Sequence, residues 1–200
     1  MLQDGFFDES KPTIIRWGEL PHWRQDGALY FVTFRLADSL PAALLDQWRR
    51  ERDIWRRLHP DPTPMQLEDF ERMYRGRIET WLDRGVGSCI LRQPSAKAIV
   101  QQALRYFDGN RYELGEWAVA GNHVHLTART LPGIDLSSIL GSLKRFASRK
   151  IRKITGCHKQ FPALRDHLWQ HESFDHIVRS QAHLDYYHRY IRNHDRRRQQ

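Results

Sequence analysis

Residues 121–129 read Gly-Asn-His-Val-His-Leu-Thr-Ala-Arg, and from His123 onward polar and apolar side chains alternate without a break. A period of two marks a strand that lays one face on a core and turns the other toward something polar. Val124, Leu126 and Ala128 form the apolar face, and His123, His125, Thr127 and Arg129 share the other. Upstream, a turn at Asp108-Gly109-Asn110 leads into a second extended run through Trp117 and Val119, and Gly121-Asn122 turns or bulges the chain between the two. The chain must therefore build a sheet, with antiparallel neighbours around residues 112–129.

The remaining elements fit around that sheet. Alternation recurs from Ala28 to Leu36, with Tyr30, Val32, Phe34 and Leu36 on one face. Helical spacing covers residues 41–59 and, after the proline-punctuated break His59–Pro64, a run carrying Leu67, Phe70, Tyr74, Ile78 and Trp81. After the Asp83–Gly87 turn, Cys89-Ile90-Leu91 reads as a short extended piece, and Pro94-Ser95 opens a helix to Phe107. Asp135 to Lys153 is amphipathic, with Leu136, Ile139, Leu140, Leu143 and Phe146 as its stripe. Residues 165–178 read as extended and irregular, and Ser180 caps a last helix to Asn193. Strands and helices interleave in the order β-α-β-β-α, which predicts an α+β fold. Its form is a ferredoxin-like sheet of mainly antiparallel strands with helices packed largely on one face. Residues 1–27 form an irregular N-terminal segment, residues 28–195 a single domain, and residues 196–200 a basic tail.

Composition narrows the function classes. A chain of 200 residues suits one compact core. Two cysteines without a CxxC pair argue against a disulfide framework or a four-thiolate zinc site. No apolar run approaches the roughly 20 residues that cross a bilayer, and the first residues lack a secretory pattern, so a cytoplasmic location and no membrane partner are expected. The net charge of +8 points to a polyanionic partner, with nucleic acid the commonest for a basic domain of this kind.

Three groups of residues carry chemistry. His123 and His125 project side by side from a rigid strand, a start for a metal centre that needs further ligands to be complete. The simpler alternative is a pair of half-exposed strand histidines in a chain holding 11 of them. On the last helix, Leu184, Tyr187 and Ile191 fall at core spacing, and Tyr186, Tyr190 and His194 lie on a neighbouring stripe at i, i+4 and i+8. A phenol with a pKa near 10 becomes a nucleophile only beside a metal or another cation; otherwise such tyrosines fill a core rim. Lys144, Arg145, Arg149, Arg152 and Lys153 line the polar side of the 135–153 helix, either as a solvated face or as a phosphate track for DNA.

These motifs resemble a known family. His123-Val124-His125 looks like the HUH motif of single-tyrosine transposases of the IS200-like family, and the REP-associated tyrosine transposases fit best. Trp81-Leu82-Asp83-Arg84-Gly85-Val86-Gly87 is similar to that group's tryptophan-leucine-aspartate turn, and Arg105-Tyr106-Phe107-Asp108-Gly109 to its next helix end. Ser142-Leu143-Lys144-Arg145-Phe146 resembles its serine-x-lysine-x-phenylalanine helix. The segment Trp169-Gln170 through Phe174-Asp175-His176-Ile177-Val178-Arg179 resembles its WQ…YDHIIR segment. The blocks follow the family's order over roughly residues 28–195.

The resemblance implies a metal-dependent single-stranded DNA endonuclease and strand transferase working on hairpin-type repeat DNA. Tyr190, in Tyr190-Ile191-Arg192-Asn193-His194-Asp195, takes the place of the family's nucleophile and would form a 5′-phosphotyrosine, with Tyr186 the alternative one turn away. His123, His125 and His194 would hold a divalent metal ion, Mg or Mn, the imidazoles tilting the preference toward Mn. The sequence departs from the family where His194 replaces asparagine, Asp195 replaces proline, and Ala120-Gly121 replaces methionine-proline. Two rivals follow. One is a catalytically inactive DNA-hairpin-binding protein of the same fold; the other is a zinc hydrolase using His123, His125 and His167 or His171. The REP-associated group implies a monomer in preference to the dimers of simple insertion-sequence enzymes.

Overall fold

A computed structural model of the chain describes residues 4–196, with side chains to residue 194. The central sheet has four strands in the order β4-β5-β3-β6, built from β3 (Leu29–Arg35), β4 (Tyr112–Val119), β5 (His123–Thr130) and β6 (Phe174–Ile177). Every neighbouring pair is antiparallel. β3 reaches β4 through helices α1 (Ala42–Leu58), α2 (Pro64–Asp83) and α3 (Pro94–Tyr106). β5 reaches β6 through α4 (Leu136–Thr155) and the short α5 (Cys157–Gln160), and α6 (Gln181–Arg196) closes the chain. Each crossover skips one strand, so the sheet has the ferredoxin-like order expected from the sequence.

Local chemistry sets the helix ends. Thr63 and Gln66 form a reciprocal capping box at the start of α2, with Pro64 in the first turn, where its missing N–H costs nothing. Asp135 accepts from Ser137 N–H at 2.7 Å to open α4, and Gly156 closes it at φ 61°. Ser180 Oγ accepts from His183 N–H at 3.2 Å to open α6.

The two faces of the sheet bury different cores. Tyr30, Val32 and Phe34 of β3 join Val124, Leu126 and Ala128 of β5 against α3 and α4. On the opposite face Leu29 and Phe31 of β3 pack with Trp48 of α1, Phe70, Tyr74 and Leu82 of α2, and Leu184, Tyr187 and Ile191 of α6. Helices therefore cover both faces, where one-sided packing was expected. The histidine-bearing face, polar by sequence, carries enough apolar surface on β3 and β6 to need a cover of its own.

Two further segments differ from the sequence reading. Residues 1–27, read as irregular, contain a hairpin of β1 (Ile14–Trp17) and β2 (Pro21–Arg24) paired antiparallel. It is tied to the sheet by Arg24 and His22, which bond Asp175 of β6. Strands this short carry no readable period. Ile90–Arg92 forms a single 3-10 turn instead of an extended piece, with Leu91 N–H donating to Gly121 O at 3.1 Å. Of the basic tail expected at 196–200, residues 197–200 lie outside the described residues.

Candidate metal and nucleophile site

β5 and β3 are paired so that Thr33 lies opposite His125 and Arg35 opposite His123. The four side chains share the face that α6 covers. Packing draws the helix down: Tyr187 stacks on Phe31 with centroids 4.1 Å apart and an interplanar angle of 6°. Phe31 in turn stacks on the His125 ring at 5.6 Å and 18°. Leu184, Tyr187 and Ile191 are each 1% exposed, so the core stripe read from the sequence is the one that docks. Burying three such side chains contributes roughly 1.5–3 kcal/mol each.

Docking brings His194 to the strand pair. His123, His125 and His194 are buried, and their ligand atoms all lie within 4.8 Å of one another. His123 Nε2 and His194 Nε2 are 2.9 Å apart. Two imidazole lone pairs cannot face each other at that distance without a proton or a cation between them. On the far side of each strand imidazole sits an orienting group. Asn122 Oδ1 accepts from His123 Nδ1 at 2.7 Å, and the Thr33 hydroxyl lies 2.7 Å from His125 Nδ1. With the Nδ1 protons held there, both Nε2 atoms would present lone pairs to the centre, the usual outer support of a metal-binding histidine. Three imidazole nitrogens gathered within 4.8 Å of one another are a donor set that could hold a divalent cation.

Tyr190 stands at the edge of the cluster, half-buried, its hydroxyl 3.5 Å from His125 Nε2. Tyr186, one turn earlier, is 48% exposed and packs on Tyr187 instead. The Tyr187 hydroxyl accepts from Arg75 Nη1, and burial raises its pKa, so it remains a neutral phenol. His167 and His171 are exposed and stand apart from the cluster.

The sequence reading missed Asn122, Thr33 and Asp83 as parts of the site. Asn122 is fully buried and bridges two elements, since its Nδ2 donates to Val86 O at 2.9 Å while its Oδ1 holds His123. That contact pins the Asp83–Gly87 turn to the start of β5. Gly87 makes the turn possible: its φ is +91°, and a Cβ there would meet Asp38 O at 2.4 Å. The turn delivers Asp83 Oδ1 to 3.0 Å from His194 Nε2, so a half-exposed carboxylate stands at the rim of the cluster. Adjacency to His123 was a signal for Asn122. Thr33 and Asp83 come from distant segments and carry none.

The basic residues of α4 are placed elsewhere. The helix packs on the Val124, Leu126 and Ala128 face, across the sheet from the histidines. Arg145, Arg149 and Lys153 are exposed there, while Arg152 donates to Leu164 O at 3.0 Å. Lys144 reaches around to donate to Gln170 O and His171 O at 3.1 and 3.0 Å, and burial, followed by the nearby Arg35, lowers its pKa to about 8.

The fold and site together define an α+β domain with a candidate metal centre beside a helical tyrosine. The profile described as IS200-like transposase matches residues 89–194, more than half of the chain, and the chain belongs to that family. No curated protein matches it. Among solved structures, a REP-associated tyrosine transposase bound to a REP hairpin is 15% identical, with a TM-score of 0.42 over 83% of this chain and 65% of that one. The chain thus spans just under two thirds of that protein's length. A Deinococcus radiodurans R1 protein described as a candidate transposase is also 15% identical, with a TM-score of 0.40 over 83% of this chain and 89% of that one.

Proposed function

We propose that this chain is a transposase that cuts and rejoins single-stranded DNA through Tyr190. The observation that carries the proposal is the Tyr190 hydroxyl 3.5 Å from a ring nitrogen of a buried three-histidine cluster. His123, His125 and His194 would hold a divalent ion, with magnesium or manganese suited to phosphate oxygens. Such an ion would polarise a phosphodiester oxygen and favour the phenolate of an adjacent tyrosine. Thr33 and Asn122 keep the imidazoles in the tautomer that binds. The Tyr190 oxygen attacks phosphorus, the P–O bond to the 3′ oxygen breaks, and the strand is left with a 5′-phosphotyrosine and a free 3′-hydroxyl. Attack by another 3′-hydroxyl reverses the step and joins strands without a nucleotide cofactor.

Histidine in place of the family's asparagine at 194 is compatible with this chemistry, since the residue lies inside the cluster. One chain supplies both tyrosine and ligands, which supports action as a monomer. Hairpin-forming repeat DNA is the target class that the motif resemblance implies. The exposed cations of α4 offer DNA a second contact surface, remote from the cut. The test is incubation with hairpin oligonucleotides drawn from the flanks of the gene in Mg or Mn. The wild type should yield a protein–DNA adduct that survives denaturation. Tyr190→Phe should yield none and keep DNA binding, while Tyr186→Phe behaves as the wild type. Adduct formation by Tyr190→Phe would sink the assignment.

A further inference from the structure

Arg35 has no role in the chemistry above, and its surroundings are unusual for an arginine. It sits on β3 directly opposite His123, so its Cβ is about 5 Å from that of a cluster histidine. The residue is 7% exposed, and its guanidinium donates a hydrogen bond from Nη1 to Ser39 Oγ at 3.2 Å. Among the described residues no carboxylate lies at ion-pair distance from it. A guanidinium has five N–H donors, and burying one uncompensated is costly. Burial lowers its pKa to about 10, which still leaves it charged at neutral pH.

The side chain lines a cavity of about 60 Å³ together with Thr33, Trp48, Arg52, Gln170 and Phe174. Thr33 is also the partner of His125 Nδ1, so the cavity and the histidine cluster share a wall. Glu19, Arg49 and Glu172 line it as well, but they are committed elsewhere. Arg49 Nη2 pairs with Glu19 Oε1 at 2.9 Å, and Glu172 accepts from Glu19 N–H and lies 3.8 Å from His22. Arg52 pairs with Asp53 at 2.8 Å. Arg35 is left as the cavity's uncommitted charge.

We propose that this cavity is a phosphate subsite, in which Arg35 takes a phosphodiester group of the same DNA strand, adjacent to the one that Tyr190 attacks. The proposal rests on the reading that single-stranded DNA passes the histidine cluster. A planar fork of N–H groups matches two phosphate oxygens, and a partly apolar wall of Trp48 and Phe174 strengthens the contact. The volume holds a few waters, the scale of a phosphate group and not of a whole nucleotide. Filling it sets the register of the strand and so chooses which phosphate faces the tyrosine.

The test is a phosphate-neutralisation scan by fluorescence anisotropy in EDTA. A labelled single-stranded oligonucleotide carries one methylphosphonate at a time, against the wild type and Arg35→Met. The variant removes an unpaired buried charge at similar volume, so it should melt no lower than the wild type. Its log–log salt slope should be shallower by about 0.7, the equivalent of one phosphate. One methylphosphonate position should weaken the wild type about tenfold and leave Arg35→Met unaffected, while Arg35→Lys keeps the wild-type slope. Identical scans for wild type and Arg35→Met would overturn the subsite, as would a lower melting temperature with an unchanged scan, which assigns Arg35 to the fold. Blindness of the variant to an abasic position instead would make the cavity a base pocket. A wild type that shows no salt-dependent binding defeats the DNA reading itself.

Discussion

Thr33→Val isolates the support of one imidazole from the imidazole itself. The Thr33 hydroxyl is 2.7 Å from His125 Nδ1 in a place where both residues are buried, 4% and 0% exposed. Valine keeps the branched shape and removes the oxygen, so Nδ1–H loses its protein acceptor. Leaving a buried donor unpaired costs about 1–3 kcal/mol. Part of that cost falls on stability. The rest falls on ion binding, because the ring is then free to rotate or to carry its proton on Nε2, the atom that faces the cluster. Loss of such an outer partner weakens metal affinity by roughly 10–100-fold, or about 1.4–2.7 kcal/mol. Titration of metal-free protein with Mn by calorimetry reads the affinity, and urea denaturation of the same preparation reads the stability. Thr33→Ser, which keeps the hydroxyl, should bind as the wild type within a few-fold. Equal Mn affinity in the valine variant and the wild type would refute the idea that Thr33 sets the tautomer of His125.

Other consequences are open to measurement. Burial alone would lower the His22 pKa, but hydrogen bonds to Asp175 at 2.9 Å and to Glu172 outweigh it and raise the pKa to about 9 from 6.5. Both folded and unfolded chains hold that proton below pH 6.5, so the stabilisation is complete there. It is lost as pH rises toward 9, up to about 3 kcal/mol in all, and a His22→Asn variant with the same fall in stability across that window would be evidence against it. Phe31→Ala, at a fully buried residue between Tyr187 and His125, should cost about 3–5 kcal/mol in urea denaturation. A loss below about 1 kcal/mol would contradict the stack's role in docking α6. Asp83→Asn should lower Mn affinity, by about tenfold at most, because it removes a negative charge 3.0 Å from His194 Nε2, the atom that faces the cluster; an unchanged Kd removes Asp83 from the site.

The sequence determined what depends on period and neighbours. Alternation from His123 placed both histidines on one strand face, and helical spacing identified Leu184, Tyr187 and Ile191 as the docking stripe of α6. With the stripe fixed, the 3.6-residue turn placed Tyr190 and His194 on the stripe beside it. The motif resemblance pointed to the family that the profile match then established. Tertiary structure decided the rest. Which face α6 covers depends on the aromatic surface of Phe31, itself positioned by the pairing of β3 with β5, and no local pattern encodes that register. The same pairing put Thr33 behind His125 and Arg35 beside His123 across roughly ninety residues of chain. It also put the basic face of α4 on the far side of the sheet, although amphipathic spacing correctly gave its core stripe. A helix's period tells which side is buried, but only the sheet tells what lies on the other side of it.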